Sequence, residues 1–335
     1  MELRTANLAA SERAVAAALS EIGRRGVVRR VWDKDGTVWG GAPGEIADRL
    51  GWLLAAEESL RRLPGFEALA REARAEGYRE TAVLGMGGSS LAPEVLGRVF
   101  PTGEGGCPLS IHDSTDPAAV LGAARRLDIE RTLFLVSSKS GTTVETVSLF
   151  RYFYGLVAGL AGADAAGRSF IALTDPGTPL EREARALRFR AVVHGDPEVG
   201  GRFSVFTPFG VLPAAIKGLD VRRLLGDGRR AAALCREEDP ARNPGARLGA
   251  LLAVLAAAGR DKLSLLMSEA IRPFGAWLEQ LVAESTGKQG RGILPVPEES
   301  PLAETALGPD RFYAVLRLDG DAGLDADIRE LADRG

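Results

Sequence analysis

Residues 132–146 read TLFLVSSKSGTTVET, a short apolar run that passes directly into a turn crowded with hydroxyl residues. The run at 132–136 predicts a buried strand, and the apolar-periodic segment at 144–160 predicts a helix. Thr142 and Glu145 fit a capping box, which places the start of this helix in the turn. The stretch therefore predicts a strand–turn–helix unit, from which parallel sheets are built.

The same alternation of short apolar runs and helical patterns extends on both sides of this stretch. The predicted strands are 81–84, 109–112, 132–136, 170–173 and 191–193, and the predicted helices are 92–100, 118–126, 144–160 and 179–187. Strands that alternate with helices form a parallel sheet whose two faces are both covered. The predicted fold class is therefore α/β.

A second α/β pattern begins after a helical region at 207–235 and a polar stretch at 236–245 that carries two prolines. It has only two clear strands, at 262–267 and 312–318, with helices at 246–258, 275–285 and 324–332. We therefore predict a helical and linker segment at 1–60, a first parallel-sheet domain at 61–236 and a second, incomplete one at 237–335. Within the first segment, the alternation around Asp35-Gly36 predicts a turn or a hairpin.

The composition argues against several classes of function. The chain of 335 residues has a net charge of −3, so it lacks the basic surface expected of a nucleic-acid-binding protein. Two cysteines and two histidines argue against a disulfide framework and spell out no metal cluster. The longest apolar stretch, 248–258, is too short to cross a membrane, and the first residues have no signal-peptide core. We therefore expect a soluble, cytoplasmic protein that binds neither nucleic acid nor membrane.

Two predicted turns, GMGGSSLAP at 85–93 and SSKSGTT at 137–143, each follow a strand and open a helix. The carboxyl ends of parallel strands form the ligand crevice of such a sheet, and helix N-termini there offer free N–H groups to anions. Glycine lets the backbone approach closely, and the hydroxyls of Ser138, Ser140 and Thr143 add donors without bulk. These features favour a phosphate cradle.

A purely structural role for both turns stays open, because strand-to-helix turns use the same residue types. The first turn is not a dinucleotide fingerprint, since Ser90 stands where the third glycine of G-x-G-x-x-G belongs. The second is not a P-loop, since Lys139 precedes its glycine and no G-x-x-x-x-G leads into it.

Two charged residues suit proton-transfer chemistry. Arg202 follows two glycines in GGRFSVF, and a planar guanidinium suits an enediolate or carboxylate oxygen; a surface arginine in a turn is the alternative. Glu284 lies at the border of an apolar stripe in the helix that Gly287 ends, where partial desolvation would make it a stronger base. A solvated glutamate is the alternative there. For His112 and His194 we expect structural or exposed positions rather than acid–base roles.

Taken together and in this order, four stretches resemble the phosphoglucose isomerase family. GMGGSSLAPEV resembles its glycine–serine turn, SSKSGTTVET its phosphate-binding loop, GGRFSVF its arginine loop, and ESTGK the segment with its catalytic glutamate. The similarity runs from about residue 80 to residue 295. The preceding VWDKDGTVWG and EIADRLGWL look like the segment that leads into the isomerase half of fused transaldolase–isomerase proteins.

The resemblance implies two sugar isomerase (SIS) domains, each a parallel sheet with flanking helices. It implies that a sugar-phosphate substrate is held at its phosphate by Gly88, Ser89, Ser138, Lys139, Ser140 and Thr143. It also implies Arg202 as the group that stabilises an enediolate and Glu284 as the base, with no metal and no organic cofactor. The implied reaction is the interconversion of glucose 6-phosphate and fructose 6-phosphate in glycolysis and gluconeogenesis.

The sequence departs from the family's pattern after Lys288. Family members open the sugar ring with further groups in C-terminal segments, commonly a histidine and a lysine, and place a glutamine near the phosphate. Here the residues after Lys288 include neither histidine nor lysine, so we expect a truncated chain or a member without its tail. The alternatives are a catalytically incomplete protein that binds a sugar phosphate, and an isomerase that also accepts mannose 6-phosphate. A homodimer is a hypothesis from the resemblance.

Overall fold

A computed structural model describes residues 9–40, 46, 48–297 and 308–334. These residues form two compact units, one of Asp48–Arg229 and the other of the described parts of Met1–Ala47 and Arg230–Gly335. The division of the sequence at residues 60 and 236 stays a prediction.

Thirteen α-helices and eight strands have both ends within the described residues. The helices are α1 (Ala9–Arg24), α2 (Val27–Trp32), α3 (Ala55–Ala75), α4 (Leu91–Val99), α5 (Pro117–Arg126), α6 (Val144–Ala161), α7 (Ala163–Ala166), α8 (Pro179–Ala186), α9 (Pro208–Ile216), α10 (Val221–Leu234), α11 (Pro244–Ala257), α12 (Phe274–Thr286) and α13 (Asp325–Arg334). The strands are β1 (Glu80–Gly85), β2 (Leu109–His112), β3 (Thr132–Ser137), β4 (Phe170–Thr174), β5 (Ala191–His194), β6 (Lys262–Met267), β7 (Leu294–Val296) and β8 (Arg311–Leu316).

The unit Asp48–Arg229 is built on a five-stranded parallel sheet with the strand order β2-β1-β3-β4-β5. The chain runs outward from β1 to β2, returns past β1 to β3, and then continues in the opposite direction to β5. The strand order therefore reverses between β1 and β3. In open sheets of this kind, a crevice for ligands opens at that reversal, beyond the carboxyl ends of the strands.

Both faces of this sheet are buried, which is why its strands read as continuous apolar runs. All six residues of β3 are buried, and successive residues point to opposite faces. On one face, Leu133 and Leu135 belong to a core cluster with residues of α3 and α9. On the other, Phe134 and Val136 belong to a second cluster that includes residues of α6. The core thus fixes the position at which β3 ends and its turn begins.

The sequence-based prediction of this unit is confirmed, including its α/β class. Each predicted strand between 81 and 193, and each helix between 92 and 187, agrees with the structure to within one residue at both ends. The helical region predicted at 207–235 consists of two helices, α9 and α10. Gly218, which lies between them, has a φ of +81°, a left-handed conformation that ends a helix.

The second unit contains a three-stranded parallel sheet with the order β7-β6-β8. Strands β6 and β8 confirm the two predicted strands, although β8 ends two residues before the predicted boundary at 318. Strand β7 was not predicted, because three residues with a central proline give almost no strand signal. In the core of this second unit, Leu255, Leu263 and Phe312 pack against partly buried residues of α12.

The sequence predicts a turn or a hairpin around Asp35-Gly36, and the described residues form a turn and no hairpin there. Residues 27–32 form helix α2, and a 3₁₀ turn follows at Gly36–Trp39. The Asp35 carboxylate accepts a hydrogen bond from the Thr37 N–H at 2.9 Å and so caps this turn instead of leading into a strand. The end of the expected alternation, at 41–44, lies outside the described residues.

Along the described part of the chain, no helix combines the length and the apolar character that crossing a membrane requires.

Replacing Phe150 tests the core behind β3. Its ring is fully buried and contacts the rings of Phe170 and Phe189, with centroid distances of 6.0 and 5.3 Å. We expect Phe150→Ala to lower the free energy of unfolding by about 3–5 kcal/mol, measured by urea denaturation and circular dichroism. Leu160→Ala on the same helix is the control, because Leu160 is 61% exposed and should cost about 0.5 kcal/mol or less. Equal costs for the two variants would contradict this description of the core.

Candidate active site

The two glycine- and serine-rich turns lie side by side at the reversal of the strand order. Strands β1 and β3 are neighbours in parallel register, with Gly85 opposite Ser137 at their carboxyl ends. The first turn contains a 3₁₀ segment at Gly87–Ser89, and the second runs from Ser138 to Thr143. The fold thus brings together two stretches that are about fifty residues apart in the sequence.

Hydrogen bonds from two serine side chains hold the first turn in place. The Ser137 hydroxyl at the end of β3 donates to the Ser89 carbonyl at 2.7 Å. The Ser204 hydroxyl, in the 3₁₀ segment Gly201–Phe206, donates to the Gly88 carbonyl at 3.0 Å. Two consecutive carbonyls of the first turn are therefore bound by side chains from elsewhere, one from the second turn's strand and one from the arginine loop.

A very close backbone approach joins the first turn to the arginine loop. A Cβ atom placed on Gly88 would lie 2.3 Å from the carbonyl carbon of Gly201 and 2.7 Å from the backbone nitrogen of Arg202. Real Cβ atoms do not approach a backbone so closely, so only glycine fits at position 88. The loop that carries Arg202 therefore packs directly on the first turn.

The second turn is closed by its own hydroxyl groups. The buried Ser138 hydroxyl lies 3.1 Å from the Thr143 hydroxyl and accepts a hydrogen bond from the Gly141 N–H at 3.1 Å. The Ser140 and Thr142 hydroxyls, on exposed residues, lie 3.0 Å apart. Gly141 has a φ of +67° and sits where a Cβ atom would lie 2.7 Å from Thr178. The turn is therefore held together by hydrogen bonds among its own hydroxyl and N–H groups, and only glycine fits at position 141.

Helix α6 begins with Thr143 as its N-cap residue, one position later than the capping-box prediction with Thr142. The prediction is wrong because the Thr142 hydroxyl lies beside Ser140 and makes no cap, and the Thr143 side chain also makes no capping bond. The first N–H groups of an 18-residue helix are thus left without a side-chain cap at the edge where the turns meet. Such N–H groups, with the helix dipole, favour an anion.

The Lys139 ammonium is bound by two neighbouring loops. It donates to the carboxylate of Asp175, which follows β4. It also donates to the carbonyl of Asp196, which follows β5, at 3.0 Å. Placing Lys139 among the phosphate ligands stays a prediction. Its side chain is already engaged by a carboxylate that sequence reasoning did not single out.

An aromatic ring lies against the Arg202 side chain. The guanidinium carbon lies 4.8 Å from the centroid of the Phe203 ring, and the Phe203 ring stacks on Trp52 at 5.4 Å. A guanidinium over an aromatic face gains a cation–π attraction. Sequence analysis missed Trp52 because it lies 150 residues from Arg202; only its place in the GWL stretch that resembles the family pointed to it.

Glu284 lies on α12, in the other compact unit. Its carboxylate accepts a hydrogen bond from the Gln280 side chain at 3.0 Å, and the Lys288 ammonium donates to its backbone carbonyl at 2.7 Å. The expected partial desolvation is not found, since Glu284 is exposed in this structure. The predicted apolar stripe is present, and its residues Leu278 and Val282 pack against the core of this unit. Glu284 lies beyond the edge of the stripe and is exposed to solvent.

The two histidines occupy structural positions in the same unit as the turns. The His112 ring is half-buried, lies 3.0 Å from the Ser110 hydroxyl and packs near Phe153, and burial lowers its pKa. His194 Nε2 lies 3.0 Å from the Glu181 carboxylate.

The structure therefore gathers most of the predicted site residues on one edge of the five-stranded sheet. Those on the unit Asp48–Arg229 are Gly88, Ser89, Ser138, Lys139, Ser140, Thr143 and Arg202. Hydroxyl groups and backbone N–H groups come together there, an arrangement that suits a phosphate group. In the described residues, no group of three or more histidine, cysteine, aspartate or glutamate side chains converges as metal ligands do.

A single methyl group at position 88 should spoil this arrangement. We expect Gly88→Ala to weaken the binding of inorganic phosphate by about tenfold or more and to cost about 1–3 kcal/mol of stability, because the clash is with backbone atoms. Calorimetric titration and urea denaturation measure the two effects.

Gly201→Ala is the matched control for this variant. A Cβ atom there meets only the Gly88 Cα atom, at the ordinary contact distance of 3.8 Å, so both quantities should change little. If the two alanine variants bind phosphate equally well, the close approach does not shape the site.

Known proteins with similar sequences identify the family to which the chain belongs. The phosphoglucose isomerase family profile matches residues 74–292. A glucose-6-phosphate isomerase of Rubrobacter xylanophilus is 33% identical over 288 residues, which cover 80% of this chain and 66% of that protein. One of Methanocaldococcus jannaschii is 30% identical, covering 66% of this chain and 53% of that protein. The chain thus spans between about half and two thirds of the length of these relatives.

Solved structures show the same fold. A hypothetical protein of Thermus thermophilus superimposes with a TM-score of 0.75 and 27% identity, over 98% of this chain and 80% of that one. A glucose-6-phosphate isomerase of Chlamydia trachomatis does so with a TM-score of 0.63 and 21% identity, over 96% of this chain and 63% of that one. The profile match covers more than half of the chain and includes both turns, the arginine loop and Glu284. This chain belongs to the phosphoglucose isomerase family.

Proposed function

We propose that this protein interconverts glucose 6-phosphate and fructose 6-phosphate through an enediolate intermediate. The observation that carries the proposal is the packing of Gly88 on the backbone of Gly201 and Arg202. It joins an anion-binding turn to a loop with a fixed positive charge. An isomerase of this kind needs both, because it must hold a phosphate and stabilise a second negative charge that develops nearby. The curated relatives of the chain are named as glucose-6-phosphate isomerases.

The proposed phosphate ligands are the groups of the two turns. Backbone N–H groups at Gly88 and Ser89 and the side chains of Ser138, Ser140 and Thr143 would donate to the phosphate oxygens. The Ser89 N–H would do so in exchange for its 3.1 Å hydrogen bond to the Met86 carbonyl. Binding energy gained at the phosphate, which does not react, would position the reacting carbons.

The chemistry itself is a proton transfer between neighbouring carbons. A base removes the proton from C2 of the open-chain aldose, and electrons move into an enediolate. A proton passes from the C2 hydroxyl to O1, and the base returns its proton, or one exchanged with water, to C1 to give the ketose. We propose Glu284 as this base, on the strength of its place in the ESTGK motif. We propose that Arg202 stabilises the enediolate oxygens, since a guanidinium keeps its charge throughout the reaction.

The proposal extends to the setting of the reaction. A cytoplasmic location agrees with a chain of only two cysteines, which suits a reducing compartment. A homodimer is proposed from the family resemblance and is tested by light scattering.

Replacing Glu284 tests the proposed chemistry. We expect the full chain to convert fructose 6-phosphate to glucose 6-phosphate, and Glu284→Gln to lower kcat by about 10²–10⁴-fold with little change in KM, because an amide cannot accept the proton. A coupled assay for glucose 6-phosphate measures both constants. The control is Glu279→Gln, an exposed glutamate on the same helix, which should leave both constants unchanged.

The same assay tests Arg202. We expect Arg202→Met to lower kcat by about 10²–10³-fold, because the developing charge loses its partner. A chain that binds fructose 6-phosphate but shows no turnover would contradict the isomerase proposal and favour a sugar-phosphate-binding protein. Turnover that survives Glu284→Gln would contradict the assignment of the base.

A further inference from the structure

We propose that Asp175 is a positioning residue for the phosphate-binding turn, and that it acts by binding the Lys139 ammonium and so fixing the turn in place. This inference deepens the proposed function and rests on the two turns as the phosphate site. It assigns a role to a residue outside the four motifs. It also assigns the Lys139 ammonium to the support of the turn and not to the ligand.

The backbone of the turn is tied to the loop that carries Asp175. The β3–β4 ladder continues beyond the last paired residues, Ser137 and Leu173. The Ser138 N–H donates to the Leu173 carbonyl at 3.0 Å, and the Asp175 N–H donates to the Lys139 carbonyl at 3.0 Å. The position of Lys139 in the turn is therefore set by the neighbouring strand.

The side chain of Lys139 is tied to the same loop. Its ammonium donates to the Asp175 carboxylate and to the Asp196 carbonyl. Asp175 follows β4 and Asp196 follows β5, whereas Gly88 follows β1. Since the sheet order is β1-β3-β4-β5, the ammonium is held on the side of β3 opposite to the first turn. The positive charge thus points away from the crevice between β1 and β3.

The ion pair with Lys139 also compensates the negative charge of the Asp175 carboxylate. The two side chains are only 22% and 16% exposed, so their charges are partly shielded from water. Asp175 Oδ1 is buried and has no hydrogen-bond partner among the described residues. Gly195 packs closely against this oxygen, since a Cβ atom on Gly195 would lie 2.6 Å from it. The carboxylate therefore depends on Lys139 for compensation, and a lone partly buried carboxylate behind the turn would repel a phosphate.

The alternative is that Lys139 binds the phosphate directly when substrate is present. The two readings predict opposite effects of removing Asp175. If Asp175 positions the turn, its loss weakens phosphate binding. If Asp175 only competes with the phosphate for the ammonium, its loss leaves binding unchanged or tightens it.

Three variants of the full chain separate these readings: Lys139→Met, Asp175→Asn and the double variant. We expect Asp175→Asn to raise KM for fructose 6-phosphate about fivefold, and Lys139→Met to raise it about tenfold or more, because the latter leaves the carboxylate unpaired. The double variant should bind better than Lys139→Met alone, since its second change removes that charge. Values of kcat should change less than KM, because neither residue touches the reacting carbons.

Titration with inorganic phosphate repeats the comparison without turnover, so it decides the inference even if the chain proves to be no isomerase. Lys139→Arg keeps the pairing and should stay within about threefold of the unmutated chain. The matched control is Arg151→Met, which breaks the 3.3 Å ion pair with Glu183 elsewhere on the same unit and should leave phosphate binding unchanged. Should Lys139→Met fail to fold, Asp175→Asn alone decides. Equal or tighter phosphate binding by Asp175→Asn, or a double variant as weak as Lys139→Met, would overturn the inference.

Discussion

The close contact between Gly88 and the peptide that joins Gly201 to Arg202 is the constraint on which the candidate site depends. A Cβ atom at position 88 would lie 2.3 Å from the Gly201 carbonyl carbon, which no packed protein accommodates. Because glycine occupies the position, the first turn and the arginine loop can share one backbone interface. The Ser137 and Ser204 hydroxyls then donate to two consecutive carbonyls of this turn.

Most of the groups proposed to bind the phosphate are neutral. The groups at the carboxyl ends of β1 and β3 are hydroxyls, backbone N–H groups and the uncapped start of α6, and none of them carries a full charge. The lysine of the second turn is paired with Asp175, and Arg202 lies over an aromatic ring. A fixed cation beside the phosphate would bind substrate and product equally tightly. A guanidinium reserved for the enediolate would instead act on the transition state, where binding raises the rate.

The parallel sheet could be read from the sequence because the information is local. The run at 132–136 is apolar throughout since β3 is buried on both faces, and the glycines and serines that follow mark its end. The two turns could also be placed at one edge, because parallel strands end together. Four motifs in a fixed order then sufficed to suggest the family.

What the sequence could not provide depends on contacts between distant residues. Nothing in the sequence pairs Lys139 with Asp175, or stacks Trp52 on Phe203, because such contacts arise only when the loops pack. The exposure of Glu284 was misjudged for a related reason: helical projection places a residue on a face but not relative to the rest of the core. Strand β7 was missed because proline conceals so short a strand.

The most direct test of this account is a crystal structure of the full chain with fructose 6-phosphate bound. We expect a phosphate group between the first and second turns, with oxygens about 2.7–3.2 Å from the N–H groups at Gly88 and Ser89 and from the hydroxyls of Ser138 and Thr143. We also expect the Lys139 ammonium to remain on Asp175. A phosphate bound elsewhere on the molecule would contradict the proposed site.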